Sequence, residues 1–141
     1  MKPAYRPLLV VLGMFLIMTA ISVWRGNREP PKDLIPWRSS LAAAREESAK
    51  TGKPVLAYFT ATWCPPCQQM KHEVWPVPQV RKAIEPYVPV KVDVDEYPDV
   101  AKQYVFEGIP MITVLRADGS PERVYDGPVL ADALIQWLHG P

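Results

Sequence analysis

Val55-Leu56-Ala57-Tyr58-Phe59-Thr60-Ala61-Thr62-Trp63-Cys64-Pro65-Pro66-Cys67 decides the reading of this chain. From Lys53 to Thr60 the residues have the β-branched and aromatic character of a buried strand, which gives way as Trp63-Cys64 is reached. Pro65 and Pro66 then suit the first turn of a helix, where a missing amide donor costs nothing. Cys64 therefore falls at the start of a helix that continues through Gln68, Met70 and His72 until Pro76 stops or kinks it. The sequence holds 2 cysteines, both in this stretch. Two intervening residues bring their sulfurs together within one helical turn, so the pair is a dithiol able to close into a disulfide and open again.

Length and composition bound what surrounds this motif. The chain has 141 residues, and the first two dozen do not resemble a globular core, which leaves about one domain's worth of sequence. With 48% hydrophobic and 22% charged residues and a formal net charge of +1, the balance is that of an ordinary soluble fold. It carries no basic footprint for nucleic acid. The 17 prolines punctuate the chain and form no low-complexity tract.

Pro7 to Trp24 contains no charged side chain and is strongly apolar, with Lys2 and Arg6 before it. At ~1.5 Å per residue such a stretch nearly crosses a ~30 Å hydrocarbon core. Residues 1–24 are therefore expected to be a membrane anchor, a transmembrane signal-anchor helix with its N-terminus in the cytoplasm, or else a signal peptide cleaved near Ala20-Ile21-Ser22. Both readings export the dithiol domain, either tethered to the membrane or soluble after cleavage. Residues 25–36, polar and interrupted by Pro30, Pro31 and Pro36, read as a proline-rich linker, and residues 37–141 as the domain.

Within the domain, Ser40 caps a helix over Leu41–Lys50 that Gly52 ends. Further helices are expected over Gln79–Glu85, Asp99–Tyr104 and Leu130–His139, and strands over Val88–Val94, Met111–Leu115 and Glu122–Tyr125. Asp118-Gly119 reads as a hairpin turn between the last two strands. This alternation argues for an α/β fold, a mixed central sheet flanked by helices.

The stretch from about Lys53 to His139 resembles a thioredoxin-fold domain. The resemblance is carried by Trp63-Cys64-Pro65-Pro66-Cys67, by Gly108-Ile109-Pro110 at the position of that fold's cis-proline loop, and by Asp126-Gly127 before the last helix. Lys53-Pro54-Val55 and Val77-Pro78-Gln79-Val80 are more similar to the C-terminal domain of the disulfide reductase DsbD and related exported thioredoxin-like proteins than to cytoplasmic thioredoxin. The resemblance implies a cis Ile109–Pro110 bond whose backbone pairs with an extended substrate segment. It also implies a protein disulfide reductase acting outside the cytoplasm, at a bacterial inner membrane with a periplasmic catalytic domain. Its partners would be protein thiol or disulfide substrates and a membrane electron donor such as a DsbD-like protein. A dithiol oxidase and a client-binding assembly factor for exported thiol proteins such as apocytochromes are the alternatives.

Chemically, a thiolate at a helix N-terminus meets unpaired amides and the positive end of the helix dipole, so the pKa of Cys64 should be lowered. Cys64 is then the nucleophile that forms a mixed disulfide with a partner, and Cys67 the resolving thiol that releases it. No metal or organic cofactor is required. Trp63 is expected beside the sulfurs, with a plain core tryptophan as the other reading, and Trp63, Ile109 and Pro110 form the substrate-binding set. The resemblance also exposes a departure, because thioredoxins and the DsbD domain carry a buried acid, which moves the resolving thiol's proton, where this chain has Tyr58. A phenol with a reference pKa near ~10 is no base at neutral pH. Either the proton leaves through water or a partner's group, or Glu73 or Lys91 helps from another direction; Lys91, which falls where thioredoxin has a lysine near that acid, is the better candidate, with a solvated strand-end lysine as its other reading. A zinc site made from the cysteines with His72 and His139 is disfavoured because His139 sits on a distant element. Asp93, Asp95, Glu96 and Asp99 read as a solvated turn without cation-loop spacing.

Overall fold

The computed structural model describes residues 6–26, 34–104 and 107–140, arranged in two units, Met1–Pro30 and Pro31–Pro141. In the first, helix α1 spans Arg6–Gly26 and exposes Leu8, Val10, Leu12, Phe15, Ile17 and other apolar side chains around its circumference. Among the described residues no helix is long and apolar enough to cross a membrane. The expected transmembrane helix over residues 1–24 is corrected on this point. The helix that forms spans Arg6–Gly26. Residues 1–5 and most of the linker expected over 25–36 lie outside the described residues.

In the second unit, α2 (Leu41–Thr51) begins where Ser40 Oγ accepts the Ala43 amide at 3.1 Å and ends at Gly52, whose φ of 73° lies in the left-handed region. There follow β1 (Val55–Thr60), α3 (Pro65–Glu73), α4 (Pro78–Ile84), β2 (Val88–Asp93), α5 (Pro98–Tyr104), β3 (Met111–Leu115), β4 (Pro121–Asp126) and α6 (Ala131–His139). The sheet order is β2-β1-β3-β4, with β1 parallel to β2 and antiparallel to β3, and β3 antiparallel to β4. The mixed sheet and each expected element are present, with ends that move by one or two residues.

Strand parity sorts the core into two layers. Leu56, Tyr58, Ile112 and Val114 point to the face covered by Met70 of α3, Val80 and Ile84 of α4 and Leu134 and Leu138 of α6. Val55, Ala57, Phe59, Val90 and Met111 point to the other face, under Leu41 and Ala44 of α2 and Tyr104 of α5. Because side chains alternate along a strand, Lys91 and Asp93 of β2, in register with Tyr58 and Thr60 of β1, fall on the face that α3 covers. Register thus brings charged groups toward the dithiol helix.

Two ends of this unit are tied down by polar contacts. Arg123 caps the C-terminus of α6, donating to the Trp137 carbonyl at 2.6 Å and to the Tyr87 hydroxyl at 2.8 Å. The turn between β3 and β4 closes through Gly119, with φ of 86°, and a Cβ there would lie 2.7 Å from Arg45 Cζ of α2. Asp118 accepts from the Ser120 hydroxyl at 2.6 Å and from its amide at 2.8 Å, which holds the carboxyl below the ordinary range.

Leu134 is fully buried, whereas Leu130, just before α6, is 70% exposed. Leu134→Ala should lower unfolding stability by about 2–5 kcal/mol, and Leu130→Ala by less than about 0.5 kcal/mol, both read from urea denaturation. The Asp118 carboxyl titrates lower in the folded than in the unfolded chain. Its contribution is therefore present above the ordinary carboxylate range and lost as pH falls through the folded value. Asp118→Asn should accordingly flatten the acid limb of a stability-against-pH curve measured by the same method.

Candidate active site

The dithiol sits where β1 ends and α3 begins. Cys64 is the N-cap of α3, in an extended conformation, and its Sγ accepts the Cys67 amide at 3.3 Å. Pro65 and Pro66 occupy the next two positions and donate nothing, so Cys67 supplies the first free amide of the helix. The sulfurs are bonded at 2.06 Å, with Cα atoms 5.2 Å apart. Gln68 fastens the preceding loop, its Nε2 donating to the Thr62 carbonyl at 3.2 Å.

Cys64 is 2% exposed and Cys67 1%. Both cysteines are buried and cluster with Ala61 against the half-buried Val94 and Ile109, and Cys64 is flanked by exposed Trp63 and Pro65. The Ile109–Pro110 peptide is cis, and the Ile109 carbonyl oxygen lies 3.8 Å from Cys64 Sγ. Pro110 itself is buried, its carbonyl accepting the Gly127 amide at 2.9 Å. Any sulfur that bonds to Cys64 must therefore sit beside the Ile109 backbone.

Trp63 is 64% exposed, which sets aside the core-tryptophan reading. Its indole Nε1 donates to Asp95 Oδ2 at 2.6 Å, holding the ring at the rim of the site. Asp95 had been expected only as one acid of a solvated turn.

Behind Cys67 lies a cleft of about 120 Å³ whose walls include Tyr58, Cys67, Lys71, Trp75, Lys91 and Asp93. The structure thus brings Tyr58 and Lys91 together with Cys67. The Tyr58 hydroxyl lies 3.5 Å from the Cys67 carbonyl, a long contact, and Lys91 Nζ stands 5.9 Å from the centre of the Trp37 ring. Glu73 is not among the cleft-lining residues: it is exposed and accepts from Gln69 Nε2 at 2.9 Å. His72 is exposed on α3, His139 ends α6, and among the described residues no group of three His, Cys, Asp or Glu side chains could hold a metal ion.

The sequence reads Asp93 only as one acid of a solvated turn, and it does not single out Lys71, Trp75 or Trp37. The signal for Asp93 was available, since an acid two residues after Lys91 on the same strand shares its face. Trp75 reaches the cleft because its amide bonds back to the Met70 carbonyl at 3.1 Å as α3 ends, swinging the ring to within 4.7 Å of Tyr58.

A cysteine pair at a helix N-terminus, with Cys64 as the cap and Cys67 lining a cleft, is built for thiol–disulfide exchange. A family model described as thioredoxin-like matches residues 36–117. The chain belongs to the thioredoxin-like family. It is 38% identical over 102 residues to the thioredoxin-like protein slr0233 of Synechocystis sp., in an alignment covering 72% of this chain and 93% of that protein. It is 31% identical over 105 residues to the thiol:disulfide interchange protein DsbD of Neisseria meningitidis, covering 70% of this chain and 18% of DsbD. The crystal structure of the oxidised C-terminal domain of that DsbD superposes with a TM-score of 0.61 at 31% identity, over 70% of this chain and 89% of that domain. A thioredoxin from Thermus thermophilus gives a TM-score of 0.66 at 25% identity, over 74% of this chain and 85% of that one. The chain also spans about half the length of the chloroplast thioredoxins Y that it matches. Family and dithiol together make this chain a thioredoxin-like thiol:disulfide oxidoreductase.

After reduction, Cys64 should react with iodoacetamide at least about ten times faster than Cys67 near neutral pH, since the Cys67 amide and the helix end favour its thiolate. Peptide mass spectrometry of time-quenched samples checks the order.

Proposed function

We propose that the protein reduces disulfides of other proteins outside the cytoplasm and is itself re-reduced by a membrane electron donor of the DsbD kind. The observation that carries this reading is the acceptance of the Cys67 amide by Cys64 Sγ at the start of α3, 3.8 Å from the Ile109 carbonyl. In the forward reaction the Cys64 thiolate attacks a substrate disulfide, forming a mixed disulfide and releasing one substrate thiol. Cys67 then attacks Cys64 Sγ, which closes the internal disulfide and releases the second thiol. Trp63, Ile109 and Pro110 are the substrate-binding surface of this reading. Trp63 offers an apolar face, and the loop at Ile109 offers backbone to an extended segment arriving at Cys64.

The reductive direction rests on the similarity to DsbD, whose C-terminal domain matches most of the second unit. Location in the bacterial envelope, with the catalytic domain in the periplasm, rests on the same similarity and on the apolar surface of α1. In this reading α1 leads the domain to the inner membrane and either stays associated with it or is removed near Ser22. Cell fractionation that recovered the intact chain with the cytoplasmic fraction would defeat the location.

Cys64→Ser should bring insulin-disulfide reduction down to the uncatalysed rate, whereas Cys67→Ser should accumulate covalent adducts with client proteins, seen on non-reducing gels. Equilibration of the pair with glutathione should give a potential near that of thioredoxin, about −270 mV; a value near about −120 mV would assign the oxidase direction instead.

A further inference from the structure

Cys67 cannot attack while it holds its proton, and with 1% exposure it has little direct contact with water. Its surroundings must take that proton. The cleft behind it is bounded from β1 by Tyr58, from α3 by Lys71 and from β2 by Lys91 and Asp93. A lysine ammonium is a donor with no acceptor, and a phenol is no base of the kind needed here. The carboxylate of Asp93 is the acceptor that these walls provide. It is half-buried, and its Oδ1 is held by the Asp95 amide at 2.9 Å.

A second observation points to water in the same place. Trp75 is 2% exposed, forms part of the cleft wall, and its indole Nε1 has no hydrogen-bond partner among the described residues. Buried donors of this kind are ordinarily satisfied, and a cleft of about 120 Å³ whose walls include Thr60, Lys91 and Asp93 has room for several water molecules. Lys91, held near Trp37, and Lys71 bring positive charge to the same cleft.

Resting on the oxidoreductase reading, we propose that Asp93 receives the proton of Cys67 through water in this cleft, and so sets the rate at which the mixed disulfide is resolved. The proton passes from the Cys67 thiol to water and on to the Asp93 carboxylate. The Cys67 thiolate then attacks Cys64 Sγ. The Cys64–Cys67 bond forms as the bond to the substrate sulfur breaks, and that sulfur leaves with the electron pair as a thiolate. The protein dithiol is oxidised by two electrons and the substrate disulfide is reduced by two. Asp93 touches neither reacting sulfur and acts as a positioning residue for the proton.

The test uses the full, reduced chain with dithiobis(nitrobenzoate), which releases one coloured thiolate when Cys64 attacks and a second when Cys67 resolves. In Asp93→Asn, an amide oxygen remains to accept the Asp95 amide while the proton acceptor is lost. The second release should slow by about 10- to 100-fold at neutral pH and rise more steeply with pH than in the parent, with the first release changed less than about twofold. Asp93→Glu, which keeps a carboxylate in the cleft, should recover most of the second rate. An unchanged second phase in Asp93→Asn, equal slowing of both phases, or an Asp93→Glu variant as slow as Asp93→Asn overturns the proposal. Loss of the first release in the parent protein would instead defeat the oxidoreductase reading itself.

Discussion

The hydrogen bond from the Cys67 amide to Cys64 Sγ organises the site, and it exists because a buried strand runs directly into a helix whose first two residues are prolines. A helix N-terminus ordinarily presents several amides to an anion. Pro65 and Pro66 remove two of them, so the electrostatic support for a Cys64 thiolate is concentrated in one donor, on the residue that later attacks it. When the mixed disulfide is resolved, donor and nucleophile belong to the same residue, which ties the geometry of the attack to the geometry that activates the first thiol.

That arrangement depends on the sheet beneath it. β1 is central, paired with β2 on one side and β3 on the other, and Phe59 and Leu56 are fully buried on opposite faces. The junction at Cys64 is therefore anchored by two core layers rather than by loop contacts. Tyr58 belongs to both systems: its ring packs 4.7 Å from Trp75 in one core layer, and its hydroxyl reaches toward the Cys67 carbonyl. An aromatic residue here adds packing where an acid would have had to be buried at a desolvation cost. The charge needed near Cys67 then comes from the neighbouring strand.

Local chemistry was readable from the residues, and non-local juxtaposition was not. The caps at Ser40 and Gly52, the prolines after Cys64 and the turn at Gly119 each announce themselves within a few residues, because their causes are local hydrogen bonds and dihedral freedom. The outward pose of Trp63 was not legible, since its partner Asp95 lies on the far side of β2 in the chain. Nor was the nest of Trp37, Tyr58 and Trp75, which needs the segment before α2 to fold back against the sheet. Asp93 looked like one of four solvated acids until the parallel register with Thr60 set it over the dithiol helix. The apolar N-terminal stretch was recognisable as a helix, while among the described residues no helix is long and apolar enough to cross a membrane.

The segment ahead of α2 has one more effect. The Arg38 amide donates to the Pro89 carbonyl at 2.9 Å, and Arg38 bridges Val90 in parallel, occupying part of the outer rim of β2. At the opposite rim, β4 opens with Pro121 and an irregular register against Leu115, both of which discourage a further strand. Loose polypeptide meeting this molecule is thus denied easy docking along either flank of the sheet. A second sheet edge, whether from another copy or another chain, finds no open row of backbone to continue, and that is the step from which aggregation starts.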